Sequence, residues 1–125
     1  MFELVESRDY RDAYGKRATV GLITRCAERF SGAIEGAGVC YRARQDEFCA
    51  LVNGPIDHAI ATLIAAELAL EDVEKPLRVS ACFGAAVAPD EAADPIELLV
   101  LADQRLRVRL GGREPWKATA EHTSL

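Results

Sequence analysis

Two groups of charged residues carry whatever chemistry this sequence holds. The first is the run Arg44-Gln45-Asp46-Glu47, inside the stretch CYRARQDEFCALVNG at residues 40–54. Adjacent carboxylates of this kind hold divalent cations or exchange protons. The stretch reads as two strands meeting at Arg44-Gln45, yet tight hairpin turns favour Gly or Asn, which reach positive φ without a steric penalty. Turn geometry alone gives no reason for an arginine, a glutamine and two acids at the tip. The second group is Arg105, Arg107, Arg109 and Arg113 near the C-terminus, where clustered guanidiniums suit phosphate oxygens. Both groups also have a plainer reading. Asp46 and Glu47 suit a solvated hairpin tip, and the arginines suit an exposed helix face with their stems laid over apolar neighbours.

Other side chains offer less. Cys26, Cys40, Cys49 and Cys82 include no CxxC pair, which argues against zinc and thioredoxin-type sites. A turn between Arg44 and Gln45 sets Cys40 opposite Cys49, and two small apolar thiols in a reducing compartment are the expectation there. His58 and His122 lack partners at ligand spacing, and Tyr14 and Trp116 read as packing residues. The net charge of -5 disfavours an open nucleic-acid or anionic-membrane surface. No apolar run approaches the ~20 residues that span a bilayer. The opening MFELVESRD lacks the basic-then-apolar pattern of a leader, so a soluble, cytoplasmic protein is expected.

These groups must be positioned by elements that the periodicity outlines. With 125 residues, 50% of them hydrophobic, one packed core is the default. Phe2 to Val5 suggests a short strand, and Ser7 to Gly15 a turn of helix ending at the glycine. From Ala18 to Ile34 the residues Leu22, Ile23, Cys26, Phe30 and Ile34 recur at spacings of three and four, one face of an amphipathic helix. Gly38 to Ala43 and Asp46 to Asn53 form the hairpin. A helix follows from about Ile56 to Leu70, with Ala59, Ile60, Leu63, Ile64 and Leu68 as its expected buried face. The apolar run Leu77 to Ala88 predicts one central strand covered on both faces. Asp94-Pro95-Ile96-Glu97 carries a capping acid, a proline at the first helical position and a Glu three residues on. The helix it opens runs to Gly111-Gly112, and a last strand is expected around Trp116 to Ala118. The order β-α-α-β-β-α-β-α, with a further β at the end, predicts an α+β sandwich. Its sheet is mixed, mainly antiparallel and flanked by helices, as in ferredoxin-like and polymerase-palm folds.

Arg42-Ala43-Arg44-Gln45-Asp46-Glu47-Phe48 resembles the R-x-G-G-D-E-F signature of diguanylate cyclases, with both glycines replaced. Further segments fall in that family's order. Asp12-Ala13-Tyr14-Gly15-Lys16 resembles N-D-x-Y-G-H, and the helix after it ends AERF where the family has A-x-R-L. Cys82-Phe83-Gly84-Ala85-Ala86 resembles S-I-G-V-A. Ala102-Asp103-x-x-Leu106 resembles A-D-x-A-L-Y, and Gly112-Arg113 resembles the closing G-R-N. The likeness runs from residue 2 to about 117, so residues 1–118 are identified as a degenerate GGDEF domain and residues 119–125 as a frayed tail.

The resemblance implies condensation of two GTP molecules into cyclic di-GMP across a dimer, with divalent cations, usually Mg2+, held between two acids and the triphosphate. It assigns the metal positions to Glu3 and Asp46 and the catalytic acid to Glu47. Val5 replaces the second acid of the first strand. On the nucleotide side the implied contacts are largely gone. Arg11 stands at the guanine-reading asparagine, and Val20 at a guanine-reading aspartate, where valine accepts no hydrogen bond. Leu110 stands at the phosphate-binding lysine. Arg109 is one position early, about 100° around the helix, and Arg113 matches the closing arginine only if one residue is deleted. Glu35 and Gly38 replace both residues of the inhibitory R-x-x-D motif, and the helix and D-x-L-T segment that normally precede the first strand are lacking. Arg44-Gln45 sets two long side chains where the family has bare backbone against the nucleotide. The expectation is a non-catalytic regulatory or protein-interaction module of bacterial cyclic di-GMP-type signalling, dimerising or binding a protein partner and needing no cofactor. The alternative is a GTP and Mg2+ sensor, with Arg109 or Arg113 meeting phosphate, or an active cyclase.

Overall fold

The computed structural model describes residues 1–72 and 78–111. Strand β1 (Phe2–Leu4) leads through Val5 and Glu6 into helix α1 (Ser7–Tyr14), and Gly15 separates α1 from the long α2 (Lys16–Ile34). Gly15 has φ +88°, a conformation that a side chain resists, and this lets two helices follow one another at an angle. Strands β2 (Gly38–Arg44) and β3 (Glu47–Val52) form the hairpin. Helix α3 (Ile56–Ala69), strand β4 (Ala81–Phe83) and helix α4 (Pro95–Arg109) complete the chain. The sheet order is β2-β3-β1-β4, and every neighbouring pair is antiparallel. The expected α+β sandwich is present, with an antiparallel rather than a mixed sheet among the described strands.

The core lies between the sheet and helices α2 and α3. Leu22, Ile23, Cys26, Phe30 and Ile34 are all buried, as the helical periodicity predicts. Phe30 is the centre of an aromatic cluster, edge-on to Phe2 at 4.9 Å and 5.3 Å from Phe48. Such pairs add about 0.5–1.5 kcal/mol beyond the area they bury. Arg29 donates to the carbonyls of Ala69 and Glu71 at 2.7 and 3.0 Å, and Arg25 pairs with Asp72 at 3.1 Å. The Arg29 contacts bring positive charge to the C-terminal end of α3, which α3 itself lacks in its last turn.

Four expectations are corrected. The hairpin turns at Gln45-Asp46, not Arg44-Gln45, because the register shifts between Arg42 and Arg44 and leaves Ala43 as a bulge. Consequently Cys40 faces Ala50 and Cys49 faces Tyr41, which puts the two thiols on opposite faces of the sheet. The apolar run 77–88 is not one central strand: among its described residues Ala81–Phe83 pair with β1, at the end of the described strand order, and Val79 forms an isolated antiparallel bridge with Asp72. On α3 the inward residues are Ala59, Leu63 and Ala66, whereas Ile60, Ile64 and Leu68 are exposed. The strand expected at Trp116, together with Gly112, Arg113, His122 and the tail, lies outside the described residues.

Helix α4 is set by two devices. Asp94 accepts hydrogen bonds from the backbone of Ile96 at 2.8 Å and Glu97 at 3.3 Å, with Pro95 in the first turn as predicted. A Cβ added to Gly84 would lie 2.2 Å from the Ala102 carbonyl oxygen and 2.3 Å from the Leu106 nitrogen. Only glycine allows the end of β4 to meet the helix backbone this closely.

Candidate functional site

Alternation along β1 sends Phe2 and Leu4 into the core and Glu3 to the opposite face. Register then places Glu3 directly across from Glu47 of β3. Two carboxylates facing each other on adjacent strands repel, and both are buried, Glu3 at 4% and Glu47 at 8% exposure. Helix α4 supplies the compensation. One Arg107 guanidinium nitrogen donates to both Glu3 oxygens at 3.1 and 3.3 Å, and the other donates to Glu47 and to Asp103 at 3.3 Å each.

Arg107 thus reaches three carboxylates at once, with the exposed Arg44 a more distant second cation for Glu47. Burial pushes the Glu3 carboxyl up to about 7; Arg107 opposes this, while Glu47 and Asp46 add to it. Burial works against the Arg107 charge as well, but Glu3 and Asp103 outweigh it and raise its pKa.

The hairpin tip is held from both sides. Arg42 donates to the Gln45 carbonyl at 2.9 Å, and the Leu4 amide donates to the Asp46 carbonyl at 3.0 Å. The Asp46 carboxylate accepts from the Ser7 hydroxyl at 3.0 Å, at the start of α1. None of the described non-glycine residues has positive φ, so a bulged turn supports Arg44 and Gln45 without the backbone that a glycine pair would provide. Arg44 is exposed and stands 3.8 Å from Glu47. Phe48 of the signature is a core residue that anchors the strand behind the tip.

The acids open onto a cleft of roughly 1100 Å³ between α1, the hairpin and α4, with Arg8, Arg11, Arg44 and Arg107 in its walls. The structure thus brings together Glu3, Glu47, Asp46, Arg44, Gln45 and Arg11 from the sequence-stated candidates. It does not bring in Arg109, which pairs with Glu67 of α3 at 3.2 Å, donates to the Phe83 carbonyl at 2.9 Å and lies over the Phe83 ring. Val20 is half exposed on α2 and does not line the cleft, and Leu110 follows the last turn of α4.

Sequence reading missed Asp103 and Ser7 as site residues, and took Arg107 only as one of the arginines suited to phosphate, not as a partner of the acids. The signal for Arg107 was present: it occupies the tyrosine position of the A-D-x-A-L-Y segment and lies one helical turn beyond Asp103. The acids as arranged do not fit a divalent cation. Glu3 and Glu47 are spread around a guanidinium, Asp46 is turned to Ser7, and among the described residues no three potential ligands form a metal-binding group.

Comparison with known proteins agrees with this architecture. The chain is similar to the crystal structure of a sensory box/GGDEF family protein from Caulobacter crescentus CB15, with 20% identity, a TM-score of 0.73, and coverage of 90% of this chain and 76% of that one. At that identity the likeness concerns the fold. No curated protein matches the chain. Among the described residues no helix is long and apolar enough to cross a membrane. The family model described as the diguanylate cyclase GGDEF domain matches residues 1–112 of the 125, and on that match the chain belongs to the GGDEF family.

Proposed function

We propose that this chain is a degenerate, non-catalytic GGDEF domain that serves cyclic di-GMP-type signalling in the cytoplasm as a regulatory module, through a protein partner or a second copy of itself. The observation that carries this reading is that the signature acids are engaged inside the chain: Glu47 accepts from Arg107 and Asp46 from Ser7. Acids already paired with a cation and a hydroxyl are poorly placed to gather metal and triphosphate. Loss of the glycine pair and of the guanine contacts at Arg11 and Val20 points the same way. In this role the domain needs no cofactor. Purified protein incubated with GTP and Mg2+ is expected to yield no cyclic di-GMP by chromatographic product analysis; its appearance would overturn the reading.

A second reading, a GTP sensor without turnover, draws support from one feature. The cleft is larger than many small-molecule sites, and Arg8, Arg11 and Arg44 lie in its walls, where they suit a polyphosphate. Calorimetric titration with GTP, with and without Mg2+, separates the two. Binding that survives removal of Mg2+ and weakens in Arg11→Ala favours the sensor, and absence of heat favours the interaction module.

A further inference from the structure

We infer that Arg107 is the resident cation of the Glu3 and Glu47 pocket, and that its guanidinium closes this pocket to divalent metal in the wild-type chain. The inference rests on the non-catalytic reading and names the residue that enforces it.

Three observations carry it. The sheet register fixes Glu3 opposite Glu47, a buried like-charge pair that a cation set between its members relieves whenever both are ionised. Arg107 meets that need with both ends of its fork, reaching three carboxylates at 3.1 to 3.3 Å. The planar guanidinium is suited to such divergent carboxylate contacts and does not lose its charge in the accessible pH range.

The arginine is also held in place. Its neighbour Leu106 is fully buried, Gly84 is pressed against the helix backbone at Ala102 and Leu106, and the Arg107 side chain is only 23% exposed. A Mg2+ ion demands near-octahedral oxygen ligands at about 2.0–2.1 Å and gives up water reluctantly. To enter, it would have to displace a fixed guanidinium or sit beside it against Coulomb repulsion.

The test is Mn2+ titration of the full chain by calorimetry, with thermal unfolding followed in parallel. Wild-type protein is expected to show neither heat of binding nor a Mn2+-dependent rise in Tm. Arg107→Gln is expected to gain Mn2+ affinity by roughly tenfold or more, with a rise in Tm, and adding Glu3→Gln to that variant is expected to abolish both. If Arg107→Gln does not fold, Arg107→Tyr, which restores the aromatic residue of the A-D-x-A-L-Y pattern, is read in the same way. Wild-type Mn2+ binding that Glu3→Gln removes would overturn the inference, as would a folded Arg107 variant that binds Mn2+ no better than wild type. Product formation from GTP would defeat the non-catalytic reading; Mn2+ binding by wild type without product would defeat only the role given to Arg107.

Discussion

At the scale of single residues, the pocket behaves as a small electrostatic system whose sign is set by Glu3. Its carboxyl is raised from 4.5 to about 7 in the folded chain. Between those values the folded state holds a proton that the unfolded state has released, so stability falls as pH rises. The contribution is fully present below about 4.5 and is lost as pH passes through about 7. Urea unfolding across this window is expected to show that decline, and Glu3→Gln, which cannot ionise, is expected to flatten it. A stability profile that rises between pH 4.5 and 7, and does so equally in both proteins, would contradict the assignment. Arg107→Gln should cost about 1.5–3 kcal/mol near pH 7, the range for hydrogen bonds to charged groups. The cost should shrink as pH falls below about 7, where Glu3 takes up a proton.

At the scale of elements, the position of α4 matters more than its sequence. Gly84 lets the β4 edge touch the helix backbone, and that contact sets how far Arg107 reaches toward Glu3. Gly84→Ala has no room for its methyl group without moving the helix, so a loss of about 1–3 kcal/mol is expected from overpacking, read by thermal unfolding. The substitution should also steepen the pH dependence attributed to Glu3, since a displaced guanidinium no longer opposes the rise of its carboxyl pKa. Helix α2 was legible from sequence because its apolar residues keep one helical face. Helix α3 was not, because Ile56, Ile60, Ile64 and Leu68 form one apolar stripe and Ala59, Leu63, Ala66 and Leu70 form another; periodicity cannot choose between them. The run at 77–88 misled for a related reason. Its apolar residues serve packing as well as strand pairing, as the Gly84 contact with α4 illustrates. The hairpin register depended on a bulge at Ala43, and alanine carries no signal for one. At the site itself the acids were readable from the signature likeness, whereas the cation between them depended on which of four arginines faces the sheet.

At the scale of the whole molecule, core and site are built on the same two strands. Phe2 and Leu4 flank Glu3 in β1, and Phe48 follows Glu47 in β3, so the packing on one face of the sheet fixes the charges on the other. Phe30 joins the two strands from behind, touching both Phe2 and Phe48. Phe30→Ala is therefore expected to cost about 3–5 kcal/mol, a large part of the 5–15 kcal/mol typical of a domain, as measured by urea denaturation. It should also loosen the Glu3 and Glu47 pair, although Phe30 touches neither acid. In the folded fraction of that variant, the fall in stability between pH 4.5 and 7 should be smaller than in wild type, because Glu3 gains water and its carboxyl returns toward 4.5. A Phe30→Ala protein that is destabilised by that amount, yet keeps the full wild-type pH slope, would show that the sheet does not transmit core packing to the pocket.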